Sequence, residues 1–306
     1  MSNFSREIEY LYLDVIQAGF KVEDTIAYGV NAKVKDDMPG GSHHSIGTEA
    51  DDISQAYLLE ELRHEFPGAL FLAEEECQGP DLILNDNLAR IKESGTVFII
   101  DSVDGTASAY RSRFDWSVVG NWIQDGQHIG GAIFAPSVRG GFLVVGEKGK
   151  GAWLQEEVGA SYDILFQPAS VVERPVKKST VLYGVDVLKR PQFQKFQHNV
   201  AKAVETAVVA GSCGLGVAMV AAGRAEAIVQ PHQWPWDWAS VAIIEAAGGR
   251  VQYYHYRDGT PVPLAEPDLP SYNRSDRTKQ GGLGFIAGAP ELVGWLWQEL
   301  QENWNK

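Results

Sequence analysis

Phe98-Ile99-Ile100-Asp101-Ser102-Val103-Asp104-Gly105-Thr106 decides how this chain is read: an unbroken apolar run delivers two carboxylates, three residues apart, to a Gly-Thr pair. Thr96 to Ile100 is β-branched and aromatic and follows Gly95, the pattern of a short buried strand. Carboxylates do not belong inside such a strand. Asp101 is therefore expected at its carboxyl end, where open α/β sheets place their ligands. Asp104 should follow one tight turn later, with Gly105 free to take a backbone angle that other residues avoid. Two acids so close repel each other unless a cation lies between them. Mg²⁺, which takes oxygen ligands and fills the rest of its octahedron with water and substrate phosphate, would be such a cation. An Asx-type turn with both acids solvated fits the same residues, so the choice rests on the rest of the chain.

The 306 residues are enough for one large domain or two lobes with a full core. A composition of 44% hydrophobic and 22% charged residues is that of an ordinary globular protein. The formal charge of −14, with no basic stripe, argues against a nucleic-acid polymer as partner. It does not exclude a small phosphate ester, because bound cations reverse the local field. Cys77 and Cys213 are the only cysteines and stand in no metal or redox spacing, which suits a reducing compartment. Met1 to Val15 is interrupted by Arg6, Glu7, Glu9 and Asp14 and is no signal peptide. No apolar run approaches the ~18 residues of a membrane span. A cytoplasmic protein without membrane partners is the expectation.

Phe4, Ile8, Leu11, Val15 and Ala18 recur at helical spacing, predicting a helix over 3–18 that ends at Gly19. Lys33 to Ile46 reads as a loop, and its adjacent His43 and His44 are poorly placed to share one metal. Thr48-Glu49-Ala50-Asp51 opens the next helix as a capping box, with Ile53, Ala56, Leu59 and Leu62 as its buried face. Ala69 to Ala73 is a short strand running into Glu74-Glu75-Glu76, either a solvated turn or a second set of acids at a strand end.

Beyond Thr106, the segments Trp116–Trp122, Ile129–Ala135, Phe142–Glu147 and Gly151–Leu154 read as an antiparallel meander closing a first lobe, 1–155. A second lobe, 156–306, alternates strands at 180–183, 225–229, 250–254 and 284–287 with helices at 192–204, 213–222, 238–247 and 290–304. That alternation predicts α/β layering. Residues 256–280, with four prolines and many charges, read as an irregular loop or lid. Gly282 to Ala287 matches G-x-G-x-x-A, but it reads as a strand rather than as the turn that opens a dinucleotide site.

Trp234-Pro235-Trp236-Asp237-Trp238-Ala239-Ser240 places a third acid at the first turn of a helix ended by Gly248-Gly249. Alone, Asp237 does no more than complement the helix dipole. With Asp101–Thr106, however, it resembles the inositol monophosphatase superfamily of metal-dependent, often lithium-sensitive phosphatases. Those proteins carry a D-P-[IL]-D-G-[ST] loop and a later W-D-x-A-[GSA] helix start. Thr48–Asp51 is similar to their T-x-x-D and Ala73-Glu74-Glu75 to their G-E-E. Gly211-Ser212-Cys213 through Ala222–Ala227 is similar to the helix and strand before W-D. The resemblance covers roughly residues 45 to 250.

It implies an α/β fold (α+β layered), an αβαβα sandwich in which both lobes form one catalytic unit, and a homodimer. It also implies that Glu74, Asp101, the Val103 carbonyl, Asp104 and Asp237 hold two or three Mg²⁺ ions and that the Gly105 and Thr106 N–H groups grip phosphate. Asp51, Glu74 and Thr106 would be catalytic, Thr106 bonded to Asp51 and acting with Glu74 to orient and deprotonate the attacking water. Ser212, Cys213, Gln230 and His232 would face the substrate. Trp234, Trp236 and Trp238 either line the leaving-group side or anchor the packing.

Three positions depart from the pattern: Ser102 replaces a proline, Ala107-Ser108-Ala109-Tyr110 replaces x-N-F or x-E-[FY], and Gln230 stands where inositol-selective members carry a glutamate. The expected activity is Mg²⁺-dependent hydrolysis of a small polyol or sugar phosphate. A 3′(2′),5′-bisphosphate nucleotidase and a non-catalytic regulatory relative are the alternatives.

Overall fold

Among the described residues, two large sheets, each with apolar side chains on both faces, alternate with three layers of helix, and a third sheet has only two strands. The computed structural model describes residues 4–29, 32–35, 45–75, 79–83, 95–159, 165–257, 259–265 and 283–304. In chain order the first lobe holds α1 (Arg6–Ala27), β1 (Ala32–Lys35), β2 (Ser45–Thr48), α2 (Glu49–Glu65), β3 (Leu70–Ala73), β4 (Thr96–Asp104) and α3 (Thr106–Tyr110). The meander follows as β5 (Ser117–Gln124), β6 (Gln127–Ala135), β7 (Phe142–Glu147), β8 (Gly151–Glu156) and β9 (Gln167–Ala169). Next come β10 (Thr180–Gly184), α4 (Val185–Leu188), α5 (Gln194–Ala203), β11 (Thr206–Ala210), α6 (Cys213–Ala221), β12 (Ala227–Gln233), α7 (Pro235–Trp238) and α8 (Ala242–Ala246). The chain closes with β13 (Arg250–Arg257), β14 (Thr260–Leu264), β15 (Leu283–Gly288) and α9 (Pro290–Glu302).

Among the described residues, β3 to β9 form one sheet in chain order, with β3 parallel to β4 and the others antiparallel. The second sheet runs β11-β10-β12-β15-β13-β14, parallel where β10 meets β11 and β12. Side chains of a strand point alternately to its two faces, and both faces are used. Phe98, Ile100, Phe134 and Leu143 pack with α1 and α2, while Val97, Ile99, Ile133 and Val144 pack with α6 and α8. Leu182, Ile228 and Phe285 of the second sheet close on that same helical layer. Their neighbours Val181, Val229 and Ile286 pack with α5 and α9. The result is the αβαβα sandwich. The chain enters it firmly, because the Glu147 carboxylate accepts the Ser5 N–H at 2.8 Å and the Ser5 hydroxyl at 3.1 Å ahead of α1.

Several local expectations are corrected. Helix α1 passes through Gly19 to Ala27. Gly19 is a contact and not a cap: a Cβ there would lie 2.5 Å from the Phe134 ring of β6. Helix α2 turns Asp51, Ser54 and Gln55 inward with Leu58, Leu59 and Leu62, and leaves Ile53 and Ala56 exposed. Those polar groups have partners inside. The Ser54 hydroxyl donates to the Ser102 carbonyl (2.8 Å), and the Gln55 side chain accepts from Glu75 N–H (2.9 Å) and donates to its carbonyl (3.1 Å).

The expected helix 238–247 breaks into α7, a tight turn over Ala239–Val241 and α8. There the Ser240 hydroxyl donates back to the Asp237 carbonyl at 2.6 Å, competing with the helical ladder. Strand β14 occupies 260–264 of the expected loop, since Pro261 and Pro263 are tolerable on a sheet edge. The stretch 266–280, His43 and His44 lie outside the described residues. Strand β11 was not expected either; it is an edge strand exposed along nearly its whole length, with no alternation to reveal it.

Candidate active site

The centre is built by an irregularity in β4. Residues three apart on a regular strand face opposite sides. Asp101 pairs with Val119 and Asp104 with Ser117, so three steps along β4 match two along β5. This β-bulge rotates Asp104 onto the face that carries Asp101. The expected turn is therefore a strand that continues to Asp104. The left-handed residue falls at Gly105 (φ +88°), as its lack of a side chain allows.

Two other segments converge there. The Glu74 N–H donates to the Ile100 carbonyl at 3.2 Å, continuing the β3–β4 ladder past the strand end, and its carboxyl group shares a hydrogen bond with Asp101. Asp237 arrives on the first turn of α7, where it accepts the Trp234 N–H at 3.0 Å. Carboxylate oxygens of Asp101, Asp104 and Asp237 all lie within 4.8 Å of one another.

Burial and then the charges of Glu74, Asp104 and Asp237 hold the Asp101 carboxyl well above the ordinary carboxylate range. Burial and the charge of Asp104 do the same to Asp237, against the pull of the Trp234 N–H. Asp104 is also raised by burial, opposed by donors from the N-terminus of α6. These donors are the Ser212 hydroxyl (2.5 Å), Gly214 N–H (2.5 Å) and Cys213 N–H (3.1 Å). The Ser117 hydroxyl lies 3.3 Å from the same carboxylate and 3.0 Å from Ser212 Oγ. Asp101 Oδ1 is buried and has no hydrogen-bond partner among the described residues. Carboxyl groups crowded together, with one oxygen orphaned, become on ionisation the ligand set that a hard divalent cation satisfies.

Thr106 stands at the rim. Its Oγ1 lies 3.0 Å from Asp51 Oδ1 and 2.9 Å from the Val103 carbonyl. The other Asp51 oxygen accepts the Thr48 N–H (2.8 Å) and hydroxyl (2.6 Å), completing the expected capping box. Asp51, fully buried, thus joins the start of α2 to the start of α3.

The structure therefore brings together Asp51, Glu74, Asp101, Val103, Asp104, Gly105, Thr106, Ser212, Cys213 and Asp237. Gln230 is buried on β12 beside Cys213, its side chain accepting from Gln233 at 2.9 Å. His232 lies on the same strand, and its side chain is outside the described set. Trp236 and Trp238 are core residues, and Trp234 stacks on Trp236 with centroids 5.4 Å apart. Ser117 was missed. A serine opening a meander strand carries no motif, and only the fold shows it beside Asp104.

This layered αβαβα sandwich, with clustered carboxylates that could hold a metal ion where β4 meets α6 and α7, is the fold of the inositol monophosphatase type of phosphoric monoester hydrolase. The chain belongs to the inositol monophosphatase family, whose model matches residues 7–279. It is 28% identical over 208 residues to the fructose-1,6-bisphosphatase/inositol-1-monophosphatase of Thermotoga maritima, covering 67% of this chain and 70% of that relative. It is 23% identical over 267 residues to the inositol-1-monophosphatase of Bacillus subtilis, covering 87% and 91% respectively. Its fold matches the extragenic suppressor protein suhB of Bartonella henselae with a TM-score of 0.74, at 20% identity over 97% of this chain and 99% of that one.

Proposed function

We propose that the protein hydrolyses a phosphate monoester of a small polyol or sugar, with Mg²⁺ as cofactor, and that both lobes form one catalytic unit. The observation that carries this is the convergence of Asp101, Asp104 and Asp237 within 4.8 Å from segments over a hundred positions apart. In this reading Glu74, Asp101, the Val103 carbonyl, Asp104 and Asp237 hold two or three ions. When bound, Mg²⁺ supplies Lewis acidity: it acidifies the attacking water and neutralises the leaving oxygen.

The chain's own groups do the rest. Backbone N–H groups of Gly105 and Thr106, at the start of α3, receive the phosphoryl oxygens. Thr106 has one hydroxyl proton and two acceptors in reach. With the Val103 carbonyl among the groups that would hold a cation, Thr106 would give that proton to Asp51 and turn the lone pairs of Oγ1 toward the attacking water. Glu74, beside Asp101, takes the water's proton. Ser212, Cys213, Gln230 and His232 border the leaving group. At Gln230 an amide, donor and acceptor at once, replaces the glutamate of inositol-selective members, so the hydroxyl pattern it accepts is broader. A homodimer and a cytoplasmic location, implied by the resemblance and the composition, complete the reading.

The test is phosphate release from inositol 1-phosphate, fructose 1,6-bisphosphate, histidinol phosphate and adenosine 3′,5′-bisphosphate, with Mg²⁺ and with EDTA. Mg²⁺-dependent turnover of a polyol or sugar ester is expected. Preference for the adenosine compound would favour the nucleotidase, and release from none would point to a non-catalytic relative.

A further inference from the structure

Asp115 lies in the segment between α3 and β5 and belongs to no recognised motif. It is nonetheless buried, with 9% of its surface exposed, beside both Gly105 and Gly211. A Cβ added to Gly105 would sit 2.9 Å from the Asp115 carbonyl oxygen and 3.2 Å from Ser212 Cβ. A Cβ added to Gly211 would sit 2.2 Å from Asp115 Oδ2 and 2.9 Å from Ser108 Oγ. Asp115 is thus wedged between the loop that follows Asp104 and the turn that opens α6. The Arg113 guanidinium donates to Oδ2 at 2.9 Å, and the Arg113 N–H closes the segment onto the Ser108 carbonyl at 2.9 Å. The arginine side chain is 60% exposed. Such a solvated pair contributes little energy, so its effect is to orient the carboxylate.

We propose that Asp115 is a positioning residue for the metal-binding cluster: it spaces the Gly105 loop from the Gly211–Ser212 turn so that the Ser212, Cys213 and Gly214 donors meet Asp104. This rests on the metal-dependent reading above. Groups that orient a ligand from behind typically alter metal affinity by 10–100-fold when removed.

The experiment is calorimetric titration of the metal-free full-length protein with Mn²⁺, with melting in EDTA measured alongside. Asp115→Ala should weaken Mn²⁺ binding about tenfold. Asp115→Asn, which fills the same space, should stay within about threefold of the parent, a rescue that a general loss of stability would not produce. Should Asp115→Ala fail to fold, Gly211→Ala decides, since its methyl group presses on the same carboxylate from the other lobe and should weaken Mn²⁺ to a similar extent. Unchanged Mn²⁺ affinity in both variants, or Asp115→Asn as weak as Asp115→Ala, would overturn the proposal. A parent that takes up no Mn²⁺ would overturn the metal-dependent reading and this inference with it.

Discussion

The Ser212 hydroxyl donates to the Asp104 carboxylate at 2.5 Å and accepts the Leu215 N–H at 2.9 Å. One side chain therefore caps α6 and aims a candidate metal ligand. Ser212→Ala should lose about 1 kcal/mol of stability through the cap and raise the Mg²⁺ concentration for half-maximal turnover about tenfold. Thermal melts and Mg²⁺ titrations of the rate check the two effects separately. A pure stability loss would remove Ser212 from the site.

Asp101→Asn takes one charge from the converging carboxylates without opening a cavity. With Mg²⁺ present, activity should fall at least about a hundredfold. In EDTA the order of stability should reverse, the variant melting roughly 2 °C above the parent because like charges no longer repel. Equal melting of the two proteins in EDTA would mean that the cluster carries no repulsive strain.

For Thr106→Ala, the kcat should fall by about 10²–10³ with KM little changed, since orientation of the water is needed mainly in the transition state. Steady-state kinetics on the preferred ester decides this. A change confined to KM would restrict Thr106 to holding phosphate.

Asp14, on α1, is raised to about 7 by burial and then by Glu61 and Glu65. An acid with a raised folded-state pKa contributes stability that is present below the unfolded value near 3.8 and lost as pH rises through 7. Asp14→Asn should therefore gain on the parent between pH 4 and 7 and hold a constant advantage above, at most about 4 kcal/mol. Urea midpoints at pH 4, 6 and 8 measure it. A constant difference across that range would contradict the assignment.

His128, half-buried against Trp238 with ring centroids 5.2 Å apart, is lowered to about 4 by desolvation first and Lys148 second. For a base lowered on folding, the stability is present above its usual 6.5 and lost as pH falls through 4. His128→Phe should unfold at a lower pH than the parent in an acid titration followed by tryptophan fluorescence. An unshifted midpoint would show that the imidazole is not a cause of acid unfolding.

The candidate site was more legible than the scaffold that shapes it. Asp51, Glu74, Asp101, Asp104 and Asp237 each stand beside a local signal, a cap, a strand end or a helix start, that could be read within about six residues. The bulge that puts Asp101 and Asp104 on one face was hidden, because it exists only in the pairing with Val119 and Ser117. The inward face of α2 was misjudged for the same reason. Ser54 and Gln55 look solvent-facing until Ser102 and Glu75 are beside them. Gly19 reads as the end of a helix, whereas its lack of a side chain makes room for Phe134.

The grip of α6 on Asp104 has a consequence for how the candidate metal site is assembled. The acids of β4 and the donors that aim them lie on opposite sides of residue 155, as do Asp101 and Asp237. Polypeptide fragments divided there should each chelate poorly and recover the property only on mixing. Divalent-ion uptake would then report that the complete tertiary structure has formed.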